Sequence, residues 1–169
     1  MKKVASLEVT ADFTDQFMET IGRFKRDSVL VGIPADDSAR EKGEITNAAL
    51  LAINNFGSPI NNIPARPVMA IGIKNAQDAI ADEFKKCAQS VLEKGPAALE
   101  VYYERAGIIA SQSVKKAIND QDFGGGDLGP KPSTLAARKR AGFKGVKALI
   151  MTGQMRNAIT YVVKSVWGG

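Results

Sequence analysis

The chain of 169 residues predicts an α+β fold, in which a small three- or four-stranded sheet is covered by helices and a long helical hairpin is set off by mobile loops. Three observations point to it. Short β-branched runs stand near both ends of the sequence, two long amphipathic stretches joined by Gly95-Pro96 lie between them, and a hydrophobic content of 44% is enough for one core but not for two. We therefore expect a single domain over 1–169, with mobile loops at about 35–43 and 119–131.

Val4 to Val9 reads as the first strand. A helix follows from near Asp12, with Asp12 or Thr10 as its N-cap, because Phe13, Phe17, Ile21 and Phe24 recur at helical spacing and share one face. Ser28-Val29-Leu30-Val31-Gly32-Ile33-Pro34 is a short apolar run closed by proline, the pattern of a buried strand. Ala35 to Gly43 is polar, carries both signs of charge and predicts an exposed loop. Ile45, Ala48, Ala49, Ala52, Ile53 and Phe56 then mark a helix over about 45–56, ended by Gly57 as a C-cap. The prolines at 59, 64 and 67 make the next segment an extended connector, in which Arg66 is held stiffly enough to anchor a carboxylate within the subunit or across an interface.

The hairpin spans about Asn75 to Leu92 and about Ala97 to Ile118. Its first stripe is Ala76, Ala79, Ile80, Phe84, Cys87, Ala88, Val91 and Leu92. The second is Ala98, Val101, Tyr102, Ala106, Ile109, Ser113, Ala117 and Ile118. Asn119 to Pro132 is glycine-rich and polar; its Gly-Gly-Gly run lacks the Gly-Lys-Ser/Thr ending of a phosphate loop, and no strand feeds it. Pro132 to Arg140 predicts a short basic helix capped by Ser133. The segment Leu149 to Ile159 predicts a turn and a short helix, and Thr160 to Val166 a last strand. Phe13, Phe17, Ile21, Val31, Ile53, Phe56, Phe84 and Ile109 are the expected core, with Cys87 as a small buried residue that has no partner for a disulfide.

Composition narrows the chemistry. The chain has no histidine, which removes histidine acid/base pairs, Ser-His-Asp and Cys-His nucleophiles and the usual His/Cys metal sites; carboxylate or lysine chemistry stays open as a third class, but we expect no enzyme, no cofactor and no metal. The acid pairs Asp36-Asp37 and Asp82-Glu83 read as solvated charge, since adjacent helical residues point apart. No run is long and apolar enough for a membrane span or signal core, so we expect a soluble protein made in a cytoplasm. Charge is uneven: residues 1–127 hold all 18 acids and 15 of the 23 basic residues, a net of −3, whereas 128–169 hold no acid and a net of +8. That basic quarter predicts an anionic partner, either nucleic acid or the acidic face of another protein.

Several segments, in order along about 29–163, resemble the neck, tail-completion or virion-morphogenesis proteins of lambda-like and Mu-like tailed phages. They are Val29 to Pro34, Ala52-Ile53-Asn54-Asn55-Phe56-Gly57, Ile63-Pro64-Ala65-Arg66-Pro67, Pro132 to Ala136, and Leu149 to Ile159. The chain departs from the family at Asn55, where an acid is usual, at Met155, where leucine is, and at Ala158, often serine. The resemblance implies a structural virion protein at the head-tail junction, a ring of copies with a hexamer favoured, and contact with neighbouring connector and tail proteins. It leaves a tail terminator open as an alternative. It also implies a virion location, reached from the host cytoplasm, with passing non-specific contact with genome DNA and none with membrane. A nucleic-acid-binding protein is the competing class, drawn from the basic quarter, although no helix-turn-helix, RNA-binding or zinc signature is present. Candidate interface or channel residues are Arg66, Lys131, Arg138, Lys139, Arg140, Lys144 and Lys147. Pairing with acidic surfaces of adjacent subunits is the favoured use, because tight binding of DNA in a channel would hinder its passage.

Overall fold

The computed structural model describes residues 14–35, 39, 45–125, 128–150 and 152–165. The chain runs α1 (Thr14–Arg26), β1 (Asp27–Gly32), α2 (Asn47–Phe56), α3 (Val68–Lys94), α4 (Ala98–Asp120), α5 (Pro132–Arg140), α6 (Gln154–Ala158) and β2 (Thr160–Ser165). The α+β class stands. Among the described residues the sheet is a single antiparallel ribbon of β1 and β2, with Val29 opposite Val163 and Val31 opposite Tyr161. The expected strand Val4–Val9 lies outside the described residues, as do Asp12, Phe13 and most of 35–43.

The hairpin of α3 and α4 is the spine. Gly95, at φ 79°, ends α3 in the left-handed region and donates its N–H to the Val91 carbonyl, so Pro96 can turn the chain back. The helices approach closely because Gly72 is bare: a Cβ there would stand 2.5 Å from the Val114 Cα. Gly107 makes room in the same way for the Tyr161 ring of β2. Helix α3 begins at Val68, ahead of the expected Asn75, since its orphan Met69 N–H finds an outside acceptor in the Asn55 Oδ1 at 3.2 Å.

Two clusters form the core. One joins Leu51, Val68, Val114, Ile118, Phe123, Ala148, Met155 and Ile159; the other joins Cys87, Val91, Leu99 and Tyr103, with Val29, Phe84 and Val163 against it. The burial of Cys87 agrees with the sequence reading. The second hairpin stripe is rotated from its expected place: Val101 is half exposed, while Leu99, Tyr103, Ala110 and Val114 are buried. Helix α4 meets α3 on one side and the ribbon on another, so its buried arc is wider than a single-face pattern allows. On α3, Leu92 is likewise 73% exposed instead of buried.

Several expected core positions are overturned. Phe17 is 50% and Phe56 78% exposed. In α2 the buried row is Asn47, Leu51 and Asn55 rather than the alanine-rich stripe from Ile45 to Phe56. Two asparagines bracket the one large apolar residue of that row, so a hydrophobic pattern favours the wrong face. The strand expected to be buried is covered on one side only, with Leu30 and Val162 facing outward together. Phe24, at the rim, still meets Tyr103 edge-on with ring centroids 6.1 Å apart. Phe56→Ala should therefore change the stability of the isolated chain by less than about 1 kcal/mol in urea titration, whereas a core phenylalanine would lose about 3–5 kcal/mol.

Candidate assembly surfaces

The end of α2, the proline-rich connector and the segment at Leu128–Gly129 meet at one internal junction. Gly57, at φ 78°, turns the chain out of α2, and a Cβ there would come 2.8 Å from the Ala65 nitrogen. Ser58 and Ile63 bridge each other's backbones, and the Arg66 N–H donates to the Asn54 carbonyl at 2.8 Å, so the connector folds back along the end of α2. That return buries Arg66, which donates Nε to the Leu128 carbonyl at 2.7 Å and a terminal nitrogen to the Gly129 carbonyl at 3.3 Å. Its guanidinium also lies 5.8 Å from the centre of the Phe123 ring. Burial lowers the Arg66 pKa from its ordinary value. The expected carboxylate anchor is thus, among the described residues, a carbonyl anchor inside the chain. Asn55 supplies the acceptor that starts α3, and Met155 lies in the core.

The basic quarter divides in two. Lys131 donates to the Asn62 carbonyl at 2.9 Å, Arg138 to the carbonyls of Lys147 at 2.7 Å and Gly145 at 3.3 Å, and Lys147 to that of Asn119 at 2.6 Å. Arg156 reaches the Asn119 Oδ1 at 2.7 Å. Lys131 ties the start of α5 to the connector, Arg138 ties α5 to the loop that follows it, and Lys147 and Arg156 fasten that loop and α6 to the C-terminal end of α4. In contrast, Lys139, Arg140 and Lys144 are exposed and hold no side-chain partner among the described residues. Helix α5 starts with Pro132 at its first turn after Lys131, and Ser133 is not its cap, because the proline already supplies the helical φ and removes one orphan N–H. The described part of 119–131 is packed down by Phe123 and by the Arg66 contacts.

At the other end of the hairpin is a cleft of about 510 Å³ that the sequence reading missed. Asp27, Glu100 and Glu104 line it with Arg23, Tyr103 and Tyr161. Tyr161 donates its hydroxyl to Glu104 at 2.6 Å, which raises the Tyr161 pKa. Tyr103 is pushed up to about 12, first by burial and then by the charge of Asp27. The one sequence signal was Glu100 and Glu104 at i, i+4 on a helix; Asp27 lies too far along the chain for a pattern to connect it.

Glu83, expected to be solvated, is buried instead. It accepts from Lys86 at 2.6 Å and faces the Arg105 guanidinium at 3.6 Å. The Lys86 hydrogen bond is the main cause holding its carboxyl below the usual range. Because the folded pKa is the depressed one, this contribution is complete above the unfolded glutamate value of about 4.3 and fades as pH falls through the folded value. Glu83→Gln should accordingly destabilise the chain at pH 7, and the gap from wild type should narrow below about pH 4 in denaturation series.

No family model, no curated protein and no solved structure matches this chain. Among the described residues there is no cluster of metal-ligating side chains, and no helix is long and apolar enough to cross a membrane.

Proposed function

We propose that this chain is a non-enzymatic structural subunit of a tailed-phage particle, which assembles with copies of itself into a ring at the head-tail junction as a neck or tail-completion protein. The observation that carries the reading is the pair of open apolar ends. Phe56 and Ile60 are 78% and 98% exposed beside the start of α3, and Leu92 is 73% exposed near its end. At 1.5 Å per residue, the 23 residues from Met69 to Leu92 put these groups roughly 35 Å apart. Large apolar side chains at both ends of one subunit suit a head-to-tail contact, which forms a ring when its rotation closes and an open filament when it does not. The ordered phage-like segments support the same reading, since they build a rigid junction of carbonyl and amide contacts and present no nucleophile. The expected three- or four-stranded sheet belongs to this proposal, with Val4–Val9 as the added strand.

The unpartnered Lys139, Arg140 and Lys144 favour a second reading, a nucleic-acid-binding protein. Electron microscopy and sedimentation of the purified chain over a concentration series test the first: discrete rings are expected, and a monomer at every concentration would overturn it. DNA binding with a steep salt dependence by that monomer would establish the second instead.

A further inference from the structure

We infer that the acidic cleft at the hairpin turn is the docking site for the basic end of α5 on a second copy of this chain. This rests on the ring reading above and names the polar contact that fixes its register. Within the cleft Arg23 is already engaged, 3.6 Å from Asp27 and donating to the Pro96 carbonyl at 3.3 Å. Glu104 uses one oxygen for Tyr161, and Glu100 has no partner among the described residues, so carboxylate acceptors remain open at the mouth. In the wall between them Tyr103 is only 3% exposed and its hydroxyl has no hydrogen-bond partner. Buried polar groups of that kind are rare, and here the charges of Asp27 and Arg23, which share the cleft, both act on the hydroxyl. The open carboxylates at the mouth match an incoming cationic donor, and the unsatisfied hydroxyl lies buried behind them.

The chain carries such donors in Lys139, Arg140 and Lys144, but cannot bring them to its own cleft. The Arg138 and Lys147 contacts hold α5 and its loop at the Asn119 end of α4, whereas Glu100 lies in the first turn of that helix. The 19 residues from Glu100 to Asn119 separate them by roughly 28 Å. Acidic and basic ends therefore meet only between copies, and each copy offers one of each. DNA fits the cleft poorly, since its phosphates would face the three carboxylates.

Charge reversal on the full chain tests the docking. Glu100→Lys and Arg140→Glu alter exposed side chains without a hydrogen bond or ion pair among the described residues, and circular dichroism with urea titration verifies that each variant folds. Each alone should weaken self-association at least about tenfold by sedimentation at low salt, and an equimolar mixture should recover it, because every reversed surface then has a reversed neighbour. If wild type assembles while both variants assemble equally well, or if the mixture fails to recover, the docking is wrong and the ring reading stands. Arg140→Glu that loses DNA binding without weakening association also overturns the docking, and gives α5 to nucleic acid. A wild-type chain that stays monomeric overturns both readings.

Discussion

Truncating Arg66 to alanine should cost about 3–5 kcal/mol, the largest single effect expected in this chain, because a buried guanidinium and its two charge-assisted hydrogen bonds are lost and the partly buried carbonyls that received them lose that donor. Those carbonyls belong to Leu128 and Gly129, 62 and 63 positions away, so the same change releases the loop that brings Phe123 into the core. Arg66→Lys should recover less than half of the loss, since an ammonium is a point donor and cannot span two carbonyls as the guanidinium fork does. Urea denaturation of the three proteins checks both statements. A loss below about 1 kcal/mol for alanine would mean that water replaces the guanidinium at no cost, and the junction would then be peripheral to folding.

Gly72→Ala should destabilise the chain by about 3 kcal/mol, although alanine is the better helix former by about 1 kcal/mol. The added methyl would meet the Val114 Cα at 2.5 Å and its nitrogen at 2.8 Å, and backbone cannot rotate away as a side chain can. The hairpin must then open along its length. Gly22, in α1, is the internal control: its nearest neighbour would be the end of the Arg26 side chain at 3.8 Å, and alanine there should be neutral or stabilising by up to about 1 kcal/mol. Thermal or urea unfolding of both variants gives the contrast, and equal effects at the two sites would rule out close packing as the cause.

These two sites show how far the sequence was legible. The hairpin, its Gly-Pro junction, the basic helix and both ribbon strands were recoverable, since each is written in local periodicity and in residues that set φ. Which face of each helix is buried was not always so. For α4 it depends on two partners distant in sequence, and for α2 it depends on Asn47 and Asn55 finding acceptors and donors outside the helix. Arg66 stood out because prolines flank it, but its partners are backbone carbonyls, which every residue carries and no pattern marks. The acidic cleft was invisible for a related reason: Asp27, Glu100 and Tyr161 become neighbours only when the ribbon crosses α4. Of the basic quarter, the sum of charge was readable and its division into staples and free groups was not.

The ribbon also sets an order of events during synthesis. Leu30 and Val162 are paired although 132 positions separate them, while α3 and α4 follow each other directly and can associate as soon as both are made. Closing a loop of that length carries an entropic cost that local helix pairing avoids, so the hairpin should be the early structure and the ribbon the late one. On a ribosome, β1 must wait with Val29 and Val31 unpaired until Thr160–Ser165 has emerged. A chain released before that point has no β1–β2 pairing, and its α4 keeps an uncovered groove at Gly107 where the Tyr161 ring should lie. The second strand of the ribbon thus separates a chain translated past Ser165 from one halted before it.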